Sequence, residues 1–348
     1  RRSTSELPAR ERERVQRVPT ANAKARDLYL RAIARQWRDT PEEMLRAIRE
    51  VEAALALDPA FIEAWVADAN MRTVVQFYDP QNAAEHRARG ESAARRALEL
   101  GPEFGNAHAA LGFALSLMKD WTGAEAAYRR ARSLNVPLAD MAAYAVLQLA
   151  VGNYPFARQI LEESRAAAPQ NPTAHRFLML ANAAAGDWAT PTELYESGMS
   201  AFEPWRDGPN QRMHWLVGRR QLAEARLVPM DDPFNASMLA SLDAPDAALA
   251  QVRHAYGVAG TGNPNLLRDI SLWAGHFGDP VLALDALRAA VDEQGGQMVY
   301  AWLPQLAAMR RLPEFRVYAR DLGLVAYWQK FGWPPACRPL AEERFECH

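Results

Sequence analysis

Residues able to do chemistry are sparse and scattered along this chain. The seven histidines, His86, His108, His175, His214, His254, His276 and His348, include no His-Glu-x-x-His pair and no short ligand spacing, and Cys337 and Cys347 form no Cys-x-x-Cys pair. Structural and catalytic metal sites need ligands spaced so that one turn or helix presents them together, so neither a metal nor a cofactor is expected. Cys347-His348 offers only two adjacent ligands on a tail. Gly90-Glu91-Ser92-Ala93 lacks the second glycine of a nucleophile elbow and falls in an arginine-rich helical stretch instead of a strand-to-helix turn. The carboxylate pairs Glu42-Glu43, Glu162-Glu163 and Asp231-Asp232 fall at helix starts or on solvent faces, where negative charge complements free helix amides or water. An enzyme in segment 205–262 would need converging polar groups, and only Arg212, His214, Arg219 and His254 are scattered there. These patterns favour binding over catalysis.

The elements that carry these residues are helical. With 348 residues, 49% of them hydrophobic, and a net charge of −2, the chain has the composition of a folded protein, without the basic field that gathers nucleic acid. Direct nucleic-acid binding is not expected. The longest apolar stretch, Met141 to Val151, is too short to span a bilayer and stops at Gly152-Asn153, so no membrane insertion is expected either. Ile occurs only five times, and Pro and Gly punctuate runs of Ala, Leu, Arg and Glu, which favour helix; no alternating strand pattern stands out. Gly257, Gly260 and Gly262 mark a loop that follows no strand, which excludes a phosphate-binding loop.

Turns of the form Gly-Asp/Asn recur at Gly152-Asn153-Tyr154, Gly186-Asp187-Trp188 and Gly278-Asp279-Pro280, with Lys119-Asp120-Trp121 as a variant, and the first two are 34 residues apart. A period of about 34 residues marks a helix-turn-helix solenoid. The repeat from Gly105 carries Leu111-Gly112, Ala124, Tyr128 and Ala131; that from Leu138 carries Ala145, Gly152, Ala157, Leu161 and Pro169. The next, from Pro172, carries Leu178, Gly186, Trp188 and Tyr195, and a late copy from Pro264 carries Ile270, Ala274, Gly278, Ala283, Leu287 and Ala290. On these residues the chain resembles the tetratricopeptide repeat (TPR) family. The resemblance implies an all-α superhelix of about seven or eight hairpins, in which small residues let paired helices approach and larger ones fill the groove to the next hairpin.

Five regions are expected: a basic tail at 1–22, repeats over 23–204, degenerate helical repeats over 205–262, a further repeat at 263–296, and a C-terminal cap at 297–348. Within 205–262, short helices are expected over Gln211–Gly218, Leu222–Val228, Asn235–Leu242 and Pro245–Tyr256. One early repeat, between Asp58-Pro59 and Gly101-Pro102, runs 43 residues, with its surplus at Phe77 to Gln81. In TPR arrays the first helix of each hairpin lines the concave groove, which here implies a surface of Asn70, Asn106, Phe113, Arg176, Phe177, Arg268 and His276. Asn carboxamides can hold an extended peptide backbone, Arg can take a carboxylate, and Phe can stack on a ligand side chain, so the expected partner is a protein or peptide. Self-association through exposed repeat ends is a further expectation.

The ends extend the resemblance. Leu28-Tyr29-Leu30-Arg31 with Thr40-Pro41-Glu42, and the closing run Pro313-Glu314-Phe315, Leu322-Gly323-Leu324, Tyr327-Trp328, Gly332-Trp333-Pro334 and Cys337-Arg338-Pro339, are similar to a bacterial group in which TPR arrays follow a TolB-like domain. In that group the upstream partner is a winged-helix or nucleotide cyclase domain, which implies a sensing or regulatory module of a membrane-anchored signalling protein, in the periplasm. A chain that starts Arg-Arg-Ser-Thr without Met is expected to be a processed or excised piece. Cys337 and Cys347 are separated by nine residues of expected irregular chain that can bend them together. A disulfide there would remove about 2.7 kcal/mol of unfolded-chain freedom and imply an oxidising compartment; reduced thiols would fit a free-standing cytoplasmic scaffold.

Overall fold

The computed structural model describes residues 20–36, 40–77, 79–169, 172–187, 208–259, 263–340 and 344–348. Most of the basic tail, Tyr78, Trp188, Tyr195, Trp205, Gly260, Gly262 and Glu342-Glu343 lie outside them. The chain divides into two compact units, Arg1–Ala114 and Leu115–His348. Consecutive helix pairs pack within each unit as in a TPR-type helical solenoid.

Unit 1 contains α1 (Ala23–Gln36), α2 (Pro41–Leu57), α3 (Ile62–Val75), α4 (Ala83–Leu100) and most of α5 (Gly105–Leu117). The second helix shows why the sequence folds this way. Thr40 caps α2 by accepting the Glu43 amide at 3.3 Å, and Pro41 occupies the first turn, where its missing amide costs nothing. Met44, Ala47, Ile48, Val51, Ala54 and Leu55 recur at helical spacing and are buried. They meet Ala25 and Ala32 of α1 and Phe61, Ala64, Met71 and Val75 at α3, so the alanines set a close helix-to-helix approach.

Unit 2 begins with α6 (Trp121–Ser133), α7 (Ala142–Ala150), α8 (Tyr154–Ala167) and α9 (Pro172–Ala184). It continues through α10 (Gly208–Gly218), α11 (Leu222–Ala225), α12 (Pro233–Ala240) and α13 (Pro245–Ala259) to the hairpin of α14 (Pro264–His276) and α15 (Pro280–Glu293). Gly257, expected in a loop, lies inside α13. The recurring turns share one closure: the amides of Asp120, Asn153, Asp187, Gln221 and Asp279 each bond the carbonyl five residues back. That closure needs a left-handed residue just before the amide. Gly152 and Gly278 supply it at φ +84° and +86°, whereas Lys119 and Arg220 adopt it at +67° and +59° despite their side chains. Asp120 and Asp279 then cap the following helix through the Gly123 and Leu282 amides.

Beyond Glu293 the chain does more than end a stack. A 3-10 stretch, Gly295–Trp302, packs on α7, α9, α14 and α15, and α16 (Ala307–Arg310), α17 (Pro313–Asp321) and α18 (Leu324–Phe331) follow. Three indoles fix this return. Trp302 donates to the Ala150 carbonyl at 3.2 Å, Trp328 to Val151 at 2.8 Å, and Trp121 to Leu322 at 2.7 Å. Gly275 admits the segment: a Cβ there would lie 2.6 Å from the Gln305 carbonyl oxygen. The chain closes with a small antiparallel hairpin, β1 (Cys337–Pro339) against β2 (Phe345–Cys347), in place of the irregular tail expected.

Candidate functional site

In unit 1 the first-helix residues expected to line a groove stand on α3 and α5. Asn106 is exposed, while Asn70 and Phe113 are half-buried, as are Val66 and Ala109 beside them. Neither carboxamide has a hydrogen-bond partner among the described residues. Thr73, on the same helix, is turned inward, where its hydroxyl donates to the Ala69 carbonyl at 2.7 Å. Below this face Arg72 is buried at 2% exposure, its Nε bonding both Asp68 oxygens at 2.9 and 3.0 Å, and it reaches Glu52 on α2. Glu52 also takes Arg89 of α4, so one carboxylate ties α2, α3 and α4 together. Burial pushes the Asp68 carboxyl above its ordinary value despite the neighbouring Arg72. This network fixes α3 against α2 and α4, while Asn70 on α3 and Asn106 and Phe113 on α5 keep some exposure.

Unit 2 treats the corresponding positions differently. Val146, Leu149, Leu180 and Leu272 are buried, covered in a region where Met298, Val299, Trp302, Leu303 and Leu306 of the returning segment are themselves buried. Arg268 is 4% exposed, bonds Asp269 through Nε at 2.9 Å, and stacks on Tyr300 of the returning segment at 5.0 Å. Asp269 also receives Asn235 Nδ2 at 2.9 Å and pairs with His214 Nε2 at 3.1 Å, and Trp273 donates to Asn235 at 2.8 Å. Burial alone would raise the Asp269 carboxyl, but Arg268 and His214 overcome it and hold the group well below the usual carboxylate range. A cavity of about 20 Å³ is lined by Leu180, Ala183, His214, Trp215, Arg268 and Tyr300, among others. That is room for roughly one water.

His276 is half-buried at the end of α14, edge-on to Trp273 and Phe277, and burial together with Arg220 and His214 lowers its pKa. Arg176 lies 5.1 Å over the Phe177 ring on α9, both half-buried, with Arg176 Nε unpartnered among the described residues. The structure thus gathers Asn106 and Phe113 on one helix, Arg176 and Phe177 on another, and Arg268 with His276 on a third.

One polar cluster carries no sequence signal beyond the four-residue spacing of Glu125 and Arg129. Glu125 on α6, 2% exposed, accepts the Tyr144 hydroxyl at 2.8 Å, Gln148 Nε2 at 2.8 Å, the Tyr327 hydroxyl at 2.9 Å and Arg129 Nε at 2.7 Å. Burial and the adjacent carboxylate push both tyrosine hydroxyls far above their ordinary range, so they act as donors that hold α18 in place. Asp68 and Arg72, four residues apart, did carry a readable helical pairing signal. Cys337 and Cys347 are bonded and lie opposite each other across the terminal hairpin. Among the described residues no group of three or more potential ligands could hold a metal ion, and no helix is long and apolar enough to cross a membrane.

The chain is an all-α helical-repeat protein. No protein-family model and no curated protein matches its sequence. Among solved structures it is similar to PilW, described as a widely conserved type IV pilus biogenesis factor, at 17% identity and a TM-score of 0.41, over 68% of this chain and 96% of PilW. It is also similar to Naa15/Naa10 bound to HypK-THB, at 16% identity and a TM-score of 0.30, over 90% of this chain but only 43% of that one. Both are likenesses of helical architecture alone. The difference in exposure between Asn70, Asn106 and Phe113 in unit 1 and Val146, Leu180 and Arg268 in unit 2 belongs to this chain's own residues.

Proposed function

We propose that this helical-repeat protein is a non-catalytic scaffold that binds an extended segment of a partner protein on the open face of unit 1. The observation that supports the reading is that Asn70 on α3 and Asn106 on α5 have no hydrogen-bond partner among the described residues, and that Phe113, on α5 with Asn106, is half-buried. Carboxamides spaced along such a face can bond successive peptide groups, and the phenyl ring offers one apolar contact. By contrast, His214, Asp269 and Glu125 are each engaged in buried hydrogen bonds within the fold. Arg176 and Phe177 on α9 are half-buried, unlike the buried Arg268 of α14. The Cys337–Cys347 bond supports an oxidising compartment such as the periplasm, and the likeness of the chain ends to TPR arrays behind TolB-like domains supports a sensing role in signalling.

The test selects peptides from a display library on the full chain and measures the recovered peptide by fluorescence anisotropy against the triple variant Asn70→Ala/Asn106→Ala/Phe113→Ala. Binding should weaken at least tenfold while the unfolding midpoint stays within a few degrees. Equal affinity for parent and variant, or failure to recover any peptide, would contradict the assignment. A thiol titration of the denatured chain before reduction separates the compartments: no reactive thiol supports the periplasmic reading, and two support a cytoplasmic scaffold.

A further inference from the structure

Three guanidinium groups, those of Arg311, Arg316 and Arg338, line one face where the terminal hairpin returns to α17, and a fourth, of Arg310, is buried next to it. Arg311, Arg316, Arg338, Glu346, Cys347 and His348 line a surface depression of about 480 Å³. Arg338 is already paired with Glu346. Arg311 and Arg316 have no partner among the described residues. Arg310 is next to Arg311 and 5% exposed; its Nε donates to the His348 main-chain oxygen at 3.0 Å, and its terminal nitrogen to the Ala301 and Leu303 carbonyls at 2.8 and 3.0 Å. Carbonyl dipoles satisfy its hydrogen-bonding capacity but do not cancel its charge. Among the described residues that line the depression, Glu346 is the one carboxylate side chain against the three guanidinium groups of Arg311, Arg316 and Arg338. Burial, with Arg311 beside it, pulls the Arg310 pKa down to about 10, the direction expected of a cation lacking a full counter-charge.

We propose that this depression is a binding site for a small dianionic oxyanion of the phosphate or dicarboxylate class. Planar guanidinium forks match both ligands in geometry as well as charge, and two unengaged forks face the same space. The volume falls in the range of small-molecule sites, about 300–1,000 Å³, which favours a compact ligand over a macromolecular one. The terminal hairpin supplies Arg338 and His348, and the Cys337–Cys347 bond fixes that hairpin, so the disulfide holds part of the site in position. This site is independent of the face proposed for peptide binding.

Calorimetric titration of inorganic phosphate, and separately of succinate, into the full chain at low ionic strength tests the assignment. One ion should bind per chain, and the variant Arg311→Gln/Arg316→Gln should weaken binding at least tenfold. Arg338→Gln provides a second variant should the first fold poorly, with the same direction expected. Arg95→Gln, at an exposed arginine of α4 paired with Glu91, should bind like the parent. The tighter of the two ions assigns the ligand class. No saturable binding of either ion, a smaller loss in the double variant, or an equal loss in Arg95→Gln would overturn the proposal.

Discussion

Units 1 and 2 are built from the same kind of helical hairpin, and the first-helix positions expected to line a groove differ in exposure between them. On α3 and α5 of unit 1, the positions at Asn70, Asn106 and Phe113 remain accessible. On α7, α9 and α14 of unit 2, the positions at Val146, Leu180 and Arg268 are buried, with Gly295–Trp302 packed on those helices. Each large side chain so buried contributes roughly 1.5–3 kcal/mol, so the five buried side chains of the returning segment contribute on the order of 10 kcal/mol. A ligand at these positions would have to displace the returning segment and forfeit that burial. Repeat spacing places a residue on an inner face; the chain that follows decides whether the face is free.

The comparison is most sharply tested at Glu125. Glu125→Ala strands the Tyr144 and Tyr327 hydroxyls and the Gln148 amide in a buried site, and should destabilise unit 2 by about 3–5 kcal/mol. Denaturant unfolding followed by tryptophan fluorescence measures it; a loss under about 1 kcal/mol would break the claim that this carboxylate holds the returning segment. Asp269→Asn comes next. It leaves the buried Arg268 without its counter-charge, at a cost of about 3 kcal/mol near neutral pH. Because the folded pKa of Asp269 is depressed, its contribution is fully present above the unfolded value of about 3.9 and is lost as pH falls through the folded one. The gap between parent and variant should therefore close only below about pH 4, and a gap that closes by pH 6 would contradict the pairing.

The smallest effect concerns a turn. Lys119 stands in the left-handed conformation that Gly152 and Gly278 occupy in sister turns, so Lys119→Gly should stabilise the chain by about 0.5–1 kcal/mol in thermal unfolding. Its ion pair with Asp292, 69% exposed on the carboxylate side, offsets little of that gain. Destabilisation by the glycine would show that the ion pair, and not the backbone, governs this turn.

Much of the fold was legible because its cues are local. Left-handed glycines, the caps Asp120 and Asp279, and prolines at helix starts all act within one turn, and they located the hairpins and the short helices of 208–259 closely. The return of the C-terminal segment was not legible: Glu125 and Tyr327 are 202 residues apart, and nothing in either one's neighbourhood announces the other. Arg268 illustrates the same limit at the site. Its place on the first helix and its neighbour Asp269 are local, but its stacking on Tyr300 is not located by any periodicity. The terminal strands were missed because three-residue strands show no alternation to read.

The most direct measurement is hydrogen–deuterium exchange on the full chain with and without a bound peptide selected as described above. Amides of Ile62–Val75 and Gly105–Leu117 should gain protection, while Pro264–His276 and Gly295–Trp302, already closed, should exchange slowly and unchanged in both states. Protection appearing at Gly295–Trp302, or rapid exchange there in the free chain, would contradict the account, because the inner face of unit 2 would then be the ligand's.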